Sequence, residues 1–150
     1  MMKILIVKGK EVLVDNDVFE WAKDFNWCLC KGYVVKTGSK RLHRLIMNVT
    51  DSSLTVDHID SNKLNNLRSN LRICTQKLNC CNRSKGEGKY SSSFKGVFKN
   101  KTMPNRWCAK IKVDGKNIYL GTFIMEPEAA EAYNNAAIKF FGEYAKVNII

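Results

Sequence analysis

Residues 56–60 read Val-Asp-His-Ile-Asp, followed by Asn65-Asn66, by Ser69-Asn70-Leu71-Arg72 and by Gln76-Lys77-Leu78-Asn79. From about Asp51 to Asn82 the chain is rich in Asn, Asp, Ser and Arg and poor in apolar residues, so this block cannot form a core unaided. Something besides apolar burial must order it, and a site built for polar chemistry would. A hydrolytic metal site needs a hard oxygen ligand, a base that accepts a proton near neutral pH, and a second group to fix that base. Asp57, His58 and the asparagines supply those parts, in a chain whose only histidines are His43 and His58. On one continuous helix of about 3.6 residues per turn, Asn70 and Asn79 would fall on opposite faces, so they share a site only if Asn70 lies before the helix. Asn70 to Cys74 reads as a short extended segment, and Thr75 as the N-cap of a helix carrying Asn79. The expected order is strand, loop, strand, helix, with His58 on the first strand and Asn79 on the helix.

Working outward, the first block runs from Lys3 to about Asn48. It holds two β-type runs, ILIV and EVLVD, a helical stretch from Asn16 to Asp24, and the runs WCLC and YVV around Lys31-Gly32, which predict a hairpin. His43 sits among Leu42, Leu45 and Ile46, as a packed, hydrogen-bonded histidine would. Arg41, Arg44, Arg68 and Arg72 flank the polar cluster and offer phosphate contacts, although a solvated basic face would read the same way.

The polar block resembles the HNH endonucleases with a ββα-metal site, in particular the phage and intron-associated homing type. The match runs from Leu42-His43-Arg44 through Val-Asp-His-Ile-Asp, Asn65-Asn66 and Ser69-Asn70-Leu71-Arg72 to Asn79. The resemblance implies that Asp57 and Asn79 hold one divalent ion, Mg2+ or Mn2+, against the scissile phosphate. It implies that His58 deprotonates the attacking water and that Asn70 orients its imidazole. Where many HNH relatives have a final His this chain carries Asn, as the homing subset does.

Residues 83–93, rich in Gly, Ser and charge without periodicity, read as a linker. Beyond it come three β-type runs, FKGVFKN, RWCAKIKVD and NIYLGTF, with an Asp114-Gly115 turn signal, and then an Ala-rich helix opened by Pro127 and stopped near Gly142. Period-two alternation puts Trp107, Ala109, Ile111 and Val113 on one face and Lys110 and Lys112 on the other. Ile118 and Leu120 join the apolar face, Asn117 and Tyr119 the polar one. Phe94 and Phe98 are expected opposite Lys95 and Lys99. Ala130, Tyr133, Ala137 and Phe140 or Phe141 are spaced to cover the apolar face. From Lys95 to Tyr119 there are seven basic residues and one acidic, against two and four from Leu120 to Ile150, so the sheet and not the helix should face a polyanion.

This block resembles the AP2/ERF DNA-binding domain. The matching stretches are Phe94-Lys95-Gly96-Val97, Trp107 to Lys112, Tyr119-Leu-Gly-Thr-Phe123, Glu128 to Asn134, Ala136-Ala137 and Gly142 through Asn148. The likeness implies that Lys95, Lys110, Lys112, Asn117 and Tyr119 sit where that family contacts DNA. Lys99 in the same basic run, and Arg44, Arg68 and Arg72 beside the polar cluster, are expected as further DNA contacts. Lysine lacks the planar fork with which arginine reads guanine, so the family's usual target sequence does not transfer.

The expectation is an α+β chain: an HNH module with a β-rich extension over 1–82, a linker over 83–93, and a three-stranded antiparallel sheet packed on one helix over 94–150. The net charge of +11 over 150 residues agrees with a double-stranded DNA partner. No apolar run approaches the roughly 20 residues needed to cross a bilayer, and the opening residues lack the features of a secretory signal. A cytoplasmic protein with no membrane association and no obligate protein partner is expected, in the bacterial host if phage-encoded. The six cysteines lack zinc-site spacing, so no structural zinc is expected and all are read as small buried apolar residues. The functional expectation is a site-directed DNA endonuclease. The alternative is an AP2-like regulator with a degenerate HNH module.

Overall fold

The computed structural model describes residues 1–38, 40–86 and 88–150. It is a mixed α/β chain with four small sheets and four α-helices among the described residues. It divides into two compact units, Met1–Cys80 and Cys81–Ile150.

In the first unit, β1 (Met2–Val7) and β2 (Lys10–Asp15) form an antiparallel hairpin. Its turn residues Lys8 and Gly9 both have positive φ, as the tight turn matched to strand twist requires. Alternation sends Leu5, Val7, Val12 and Val14 inward, and α1 (Asn16–Ala22) lays Val18 and Ala22 against them. The helix ends two residues before the expected Asp24. Next come β3 (Trp27–Cys30) and β4 (Tyr33–Lys36), joined through Lys31-Gly32, also both at positive φ. A two-residue strand, β5 (Lys40–Arg41), completes that sheet before α2 (Leu42–Ile46).

The polar block then forms β6 (Leu54–His58) and β7 (Leu71–Thr75), paired antiparallel with Asp57 opposite Arg72 and His58 opposite Leu71. A 3-10 turn over Arg68–Asn70 precedes β7. A short helix, α3 (Gln76–Cys81), follows, and Thr75 Oγ1 accepts from the Leu78 amide at its start. Val56 and Leu71 enter the same core as Val12, Val14, Val18 and Leu42, so the block that lacks a core of its own borrows one from the first forty-odd residues. Each fully buried Val there contributes about 1.5–3 kcal/mol.

In the second unit, β8 (Val97–Lys99), β9 (Trp107–Val113) and β10 (Lys116–Phe123) form an antiparallel sheet in the order β10-β9-β8. Asp114 and Gly115, both at positive φ, make the β9–β10 turn. The helix α4 (Glu126–Phe141) buries Ala129, Ala130, Tyr133, Ala136 and Ala137 against the sheet. Phe141, not Phe140, packs on that core, and Gly142 at φ 53° ends the helix. Asn148 ties the tail back, accepting from the Lys95 amide and donating to the Lys95 carbonyl.

Two expectations are corrected. In the first strand of this sheet Val97 is the buried residue, while Phe98 pairs with Cys108 on the face of Lys110, and Lys99 pairs with Trp107. Gly96 turns the chain at φ 78° before β8, so alternation counted from Phe94 does not carry through. The cysteines are not uniformly interior: Cys74 and Cys108 are buried, but Cys28, Cys30 and Cys80 are exposed and Cys81 is half-buried. On β3 the bulkier Trp27 and Leu29 take the inward parity and leave Cys28 and Cys30 outside.

Within the stretch read as a linker, Lys85 Nζ donates to the carbonyls of Ser92 and Phe94, both at 2.8 Å. Glu87 lies outside the described residues. No described helix is long and apolar enough to cross a membrane.

Candidate functional site

Strand parity sets the layout of the first unit's polar cluster. Asp57 and Arg72 face each other across β6 and β7, and Thr55 and Cys74 share their side; His58 turns the other way, beside Leu71. Arg72 donates from Nε at 3.0 Å and from Nη2 at 2.8 Å to Asp57 Oδ2, and both side chains are nearly buried. The Cys74 thiol next in line is pushed up by burial and by the Asp57 charge, against the opposing effects of Arg72 and of a hydrogen bond from the Asn79 backbone.

His58 closes β6 and is buried. Its ring meets the ring of His43 edge-on at 5.0 Å between centroids, with Tyr33 5.3 Å from His43 and 6.3 Å from His58. Arg41 and Lys63 lie over the Tyr33 ring at 4.7 and 4.3 Å. Burial lowers the His58 pKa, against smaller opposing effects from the Asn66 hydrogen bond and the Asp60 and Asp57 charges. Burial, with the charges of His58, Arg41 and Arg44, pushes His43 down to about 3. Both imidazoles are thereby neutral at physiological pH, and a neutral imidazole can accept a proton.

Asn70 makes its hydrogen bonds to the loop beyond His58. Its Nδ2 donates to Asp60 Oδ1 and to the Asn65 carbonyl, both at 2.9 Å, and its Oδ1 accepts from the Asp60 amide at 3.1 Å. Its backbone carbonyl accepts from Ile59. Burial works against the Asp60 carboxylate, yet hydrogen bonds from Asn65 and Asn70 hold it below its usual range. The atom that meets the imidazole belongs to Asn66: Oδ1 lies 3.3 Å from His58 Nε2. In the sequence Asn65-Asn66 belongs to the motif, but no task for Asn66 is legible there. Its near-complete burial in a polar loop could not be read from composition.

Among the described residues no three His, Cys, Asp or Glu side chains gather to hold a metal. The two residues expected to hold an ion, Asp57 and Asn79, bring by residue type one carboxylate and one amide oxygen. That hard donor set suits Mg2+, which keeps several waters and takes substrate phosphates as ligands.

The basic residues divide into two groups. Arg44 donates to the carbonyls of Leu54 and Asp51. Arg68 forms a fork on Asp17, whose carboxyl that fork holds below its usual range, and Arg72 is on Asp57. Lys95 Nζ donates to the carbonyls of Cys81 and Arg83, and burial lowers its pKa. These four serve the fold's own backbone and carboxylates. Lys110, Lys112, Asn117 and Tyr119 instead share the exposed sheet face, Lys110 directly across from Tyr119 and Lys112 from Asn117. Lys110 Nζ lies over Phe98, and the Tyr119 hydroxyl bonds Thr122. Lys99 stands at the other parity with its ammonium over Trp107.

No protein-family profile matches the chain. The chain is 36% identical to an uncharacterized HNH endonuclease of Acanthamoeba polyphaga mimivirus, in an alignment covering 95% of this chain and 77% of that protein. Over 44% of its length it is 47% identical to the AP2-like ethylene-responsive transcription factor AIL7 of Arabidopsis thaliana, of which it spans 14%. A rice relative named CRL5, of the same description, is 46% identical over a similar stretch, 10% of its length.

Proposed function

The chain belongs to the HNH endonuclease family, and on that premise we propose that it is a metal-dependent, site-directed DNA endonuclease of the homing type. The observation that carries this reading is a buried His58 next to Asp57 at the end of a strand whose partner strand leads directly into the helix bearing Asn79. We assign that strand, strand and helix as the ββα-metal site. Asp57 and Asn79 would hold Mg2+ or Mn2+, which when bound stabilises negative charge on the phosphate and the leaving oxygen. His58, neutral through burial, takes the proton from the attacking water. Asn70 positions the site through the loop after His58, by its bonds to Asp60 and Asn65. The second unit supplies affinity: its Lys110, Lys112, Asn117 and Tyr119 face presents a β-ribbon of the kind the major groove admits. Joining the two units in one chain raises the effective concentration of the nuclease at a recognised site.

Cleavage of plasmid DNA in Mg2+ by wild type but not by His58→Ala supports this reading; equal cutting by both removes His58 from the chemistry. A second reading, a DNA-binding regulator with a degenerate nuclease, draws on the Arg72 fork that engages the Asp57 carboxylate. Binding that persists in chelator, with no cleavage at any metal concentration, selects it.

A further inference from the structure

The loop between β6 and β7 is tied to the N-terminal hairpin by backbone bonds. Leu13 of β2 donates to the Leu64 carbonyl at 2.9 Å and accepts from the Asn66 amide at 2.8 Å, and the Arg68 amide donates to Asp15 Oδ2 at 2.9 Å. Leu13 is flanked on its strand by Val12 and Val14, both fully buried, so the clamp stands on a strand anchored in the core. Asn66 is itself 1% exposed.

The network assigns the orientation of the Asn66 amide. Its Nδ2 lies 3.1 Å from the Lys63 carbonyl. A carbonyl only accepts, so that atom must be the donating NH2 and the atom facing His58 must be Oδ1. Oδ1 in turn only accepts, so the ring nitrogen 3.3 Å away must carry a hydrogen. In a neutral imidazole with Nε2–H, the lone pair is on Nδ1. His43, edge-on at 5.0 Å, restricts rotation of the ring.

We propose that Asn66 is the positioning residue of His58: held by Leu13 and Lys63, it accepts from Nε2–H, selects that tautomer, and so makes Nδ1 the nitrogen that takes a proton. The tautomer stands independently of any activity; the proton-accepting role rests on the nuclease reading. In that role water gives its proton to Nδ1, the new O–P bond forms from the hydroxide oxygen as the P–O bond to the leaving sugar oxygen breaks, that oxygen departs with the bonding electron pair and takes a proton from solvent, and the resulting imidazolium keeps Nε2–H on Asn66 Oδ1. The N-terminal hairpin is thereby part of the catalytic apparatus through its backbone.

The test is a long-range proton–nitrogen correlation spectrum of the full chain labelled with 15N-histidine, recorded about one unit above the ordinary histidine pKa. Wild-type His58 is expected to show a protonated, pyrrole-type Nε2 and an unprotonated, pyridine-type Nδ1. Asn66→Ala is expected to show both tautomers, and its kcat to fall about tenfold to a hundredfold with KM little changed, the usual cost of losing a group that orients an active-site ligand. Asn66→Asp, which keeps the acceptor, is expected to restore the Nε2–H tautomer. A wild-type proton on Nδ1 overturns the proposal, and so does an Asn66→Ala ring that stays wholly Nε2–H. Because the wild-type spectrum decides the tautomer, an Asn66→Ala chain that fails to fold does not rescue the idea. Wild-type protein that cuts no DNA with Mg2+ or Mn2+ counts against the nuclease reading alone.

Discussion

Arg72 directs two nitrogens, Nε and Nη2, at one oxygen of Asp57 directly across the β6–β7 pair. Both groups are largely removed from water, so their value lies less in the pair itself than in what is left if it is split. Arg72→Met should lower the unfolding free energy by about 3 kcal/mol, the usual cost of stranding a buried carboxylate, read as a lower urea midpoint. The double variant Asp57→Leu with Arg72→Met should recover most of that loss. A single variant as stable as wild type would show that Asp57 is well solvated without its partner.

Gly96 carries a sharper steric demand. A Cβ placed there would come within 2.1 Å of the Tyr133 ring and 2.7 Å of the Lys110 carbonyl, at a φ of 78°. Gly96→Ala should therefore destabilise the second unit by more than about 1 kcal/mol, combining backbone strain with displacement of a core tyrosine. Thermal unfolding followed by Tyr and Trp fluorescence would check it; an unchanged midpoint would mean that the close packing of Gly96 on Tyr133 does not occur in solution.

What was legible in the sequence is what local chemistry decides. Lys31-Gly32 and Asp114-Gly115 announce their turns because two consecutive positive φ values are tolerated by few residue pairs. Ala130, Tyr133 and Ala137 announce α4 by spacing alone. The face of Phe98 was not legible, because Gly96 interrupts the alternation that a strand pattern assumes. The exposure of Cys28 and Cys30 is not legible, because composition ranks cysteine as interior, whereas strand parity on β3 favours burial of Trp27 and Leu29. In the site, the types Asp57, His58, Asn70 and Asn79 stood out from the sequence. The Arg72 pairing and the contacts of Asn66 and His43 with His58 did not, since each depends on strand register or on packing between elements distant in the chain.

The exposed face of β9 and β10 yields a prediction about salt. Lys110 and Lys112 point from one side of β9 beside Tyr119 and Asn117, whereas Lys95 is held on backbone carbonyls. If the face binds duplex DNA, Lys110→Ala and Lys112→Ala should each weaken affinity and each reduce the slope of log K against log salt by about one. Lys95→Ala should act mainly on stability. Titrations of labelled duplex at several salt concentrations distinguish these outcomes, and unchanged slopes in both β9 variants would move the contact surface elsewhere.

His43 provides the pH dependence. It faces His58 and Tyr33, with Arg41 and Arg44 as the nearby cations, and burial is the main reason its pKa falls from 6.5 to about 3. Because the folded value lies below the unfolded one, the unfolded chain binds a proton that the folded chain refuses. The stability involved is fully present above about 6.5 and is lost as pH falls through that window toward about 3. At its steepest the loss is about 1.4 kcal/mol per pH unit from this residue, and the lowered pKa of His58 acts in the same direction. His43→Phe, which keeps an aromatic ring against His58, should flatten the decline between about pH 6 and about pH 4.5 without abolishing it, since His58 still titrates. Urea unfolding midpoints at those two pH values measure the difference directly. An identical slope in His43→Phe would mean that the ring is hydrated and protonates freely, and that the packing of His43 on His58 is not maintained.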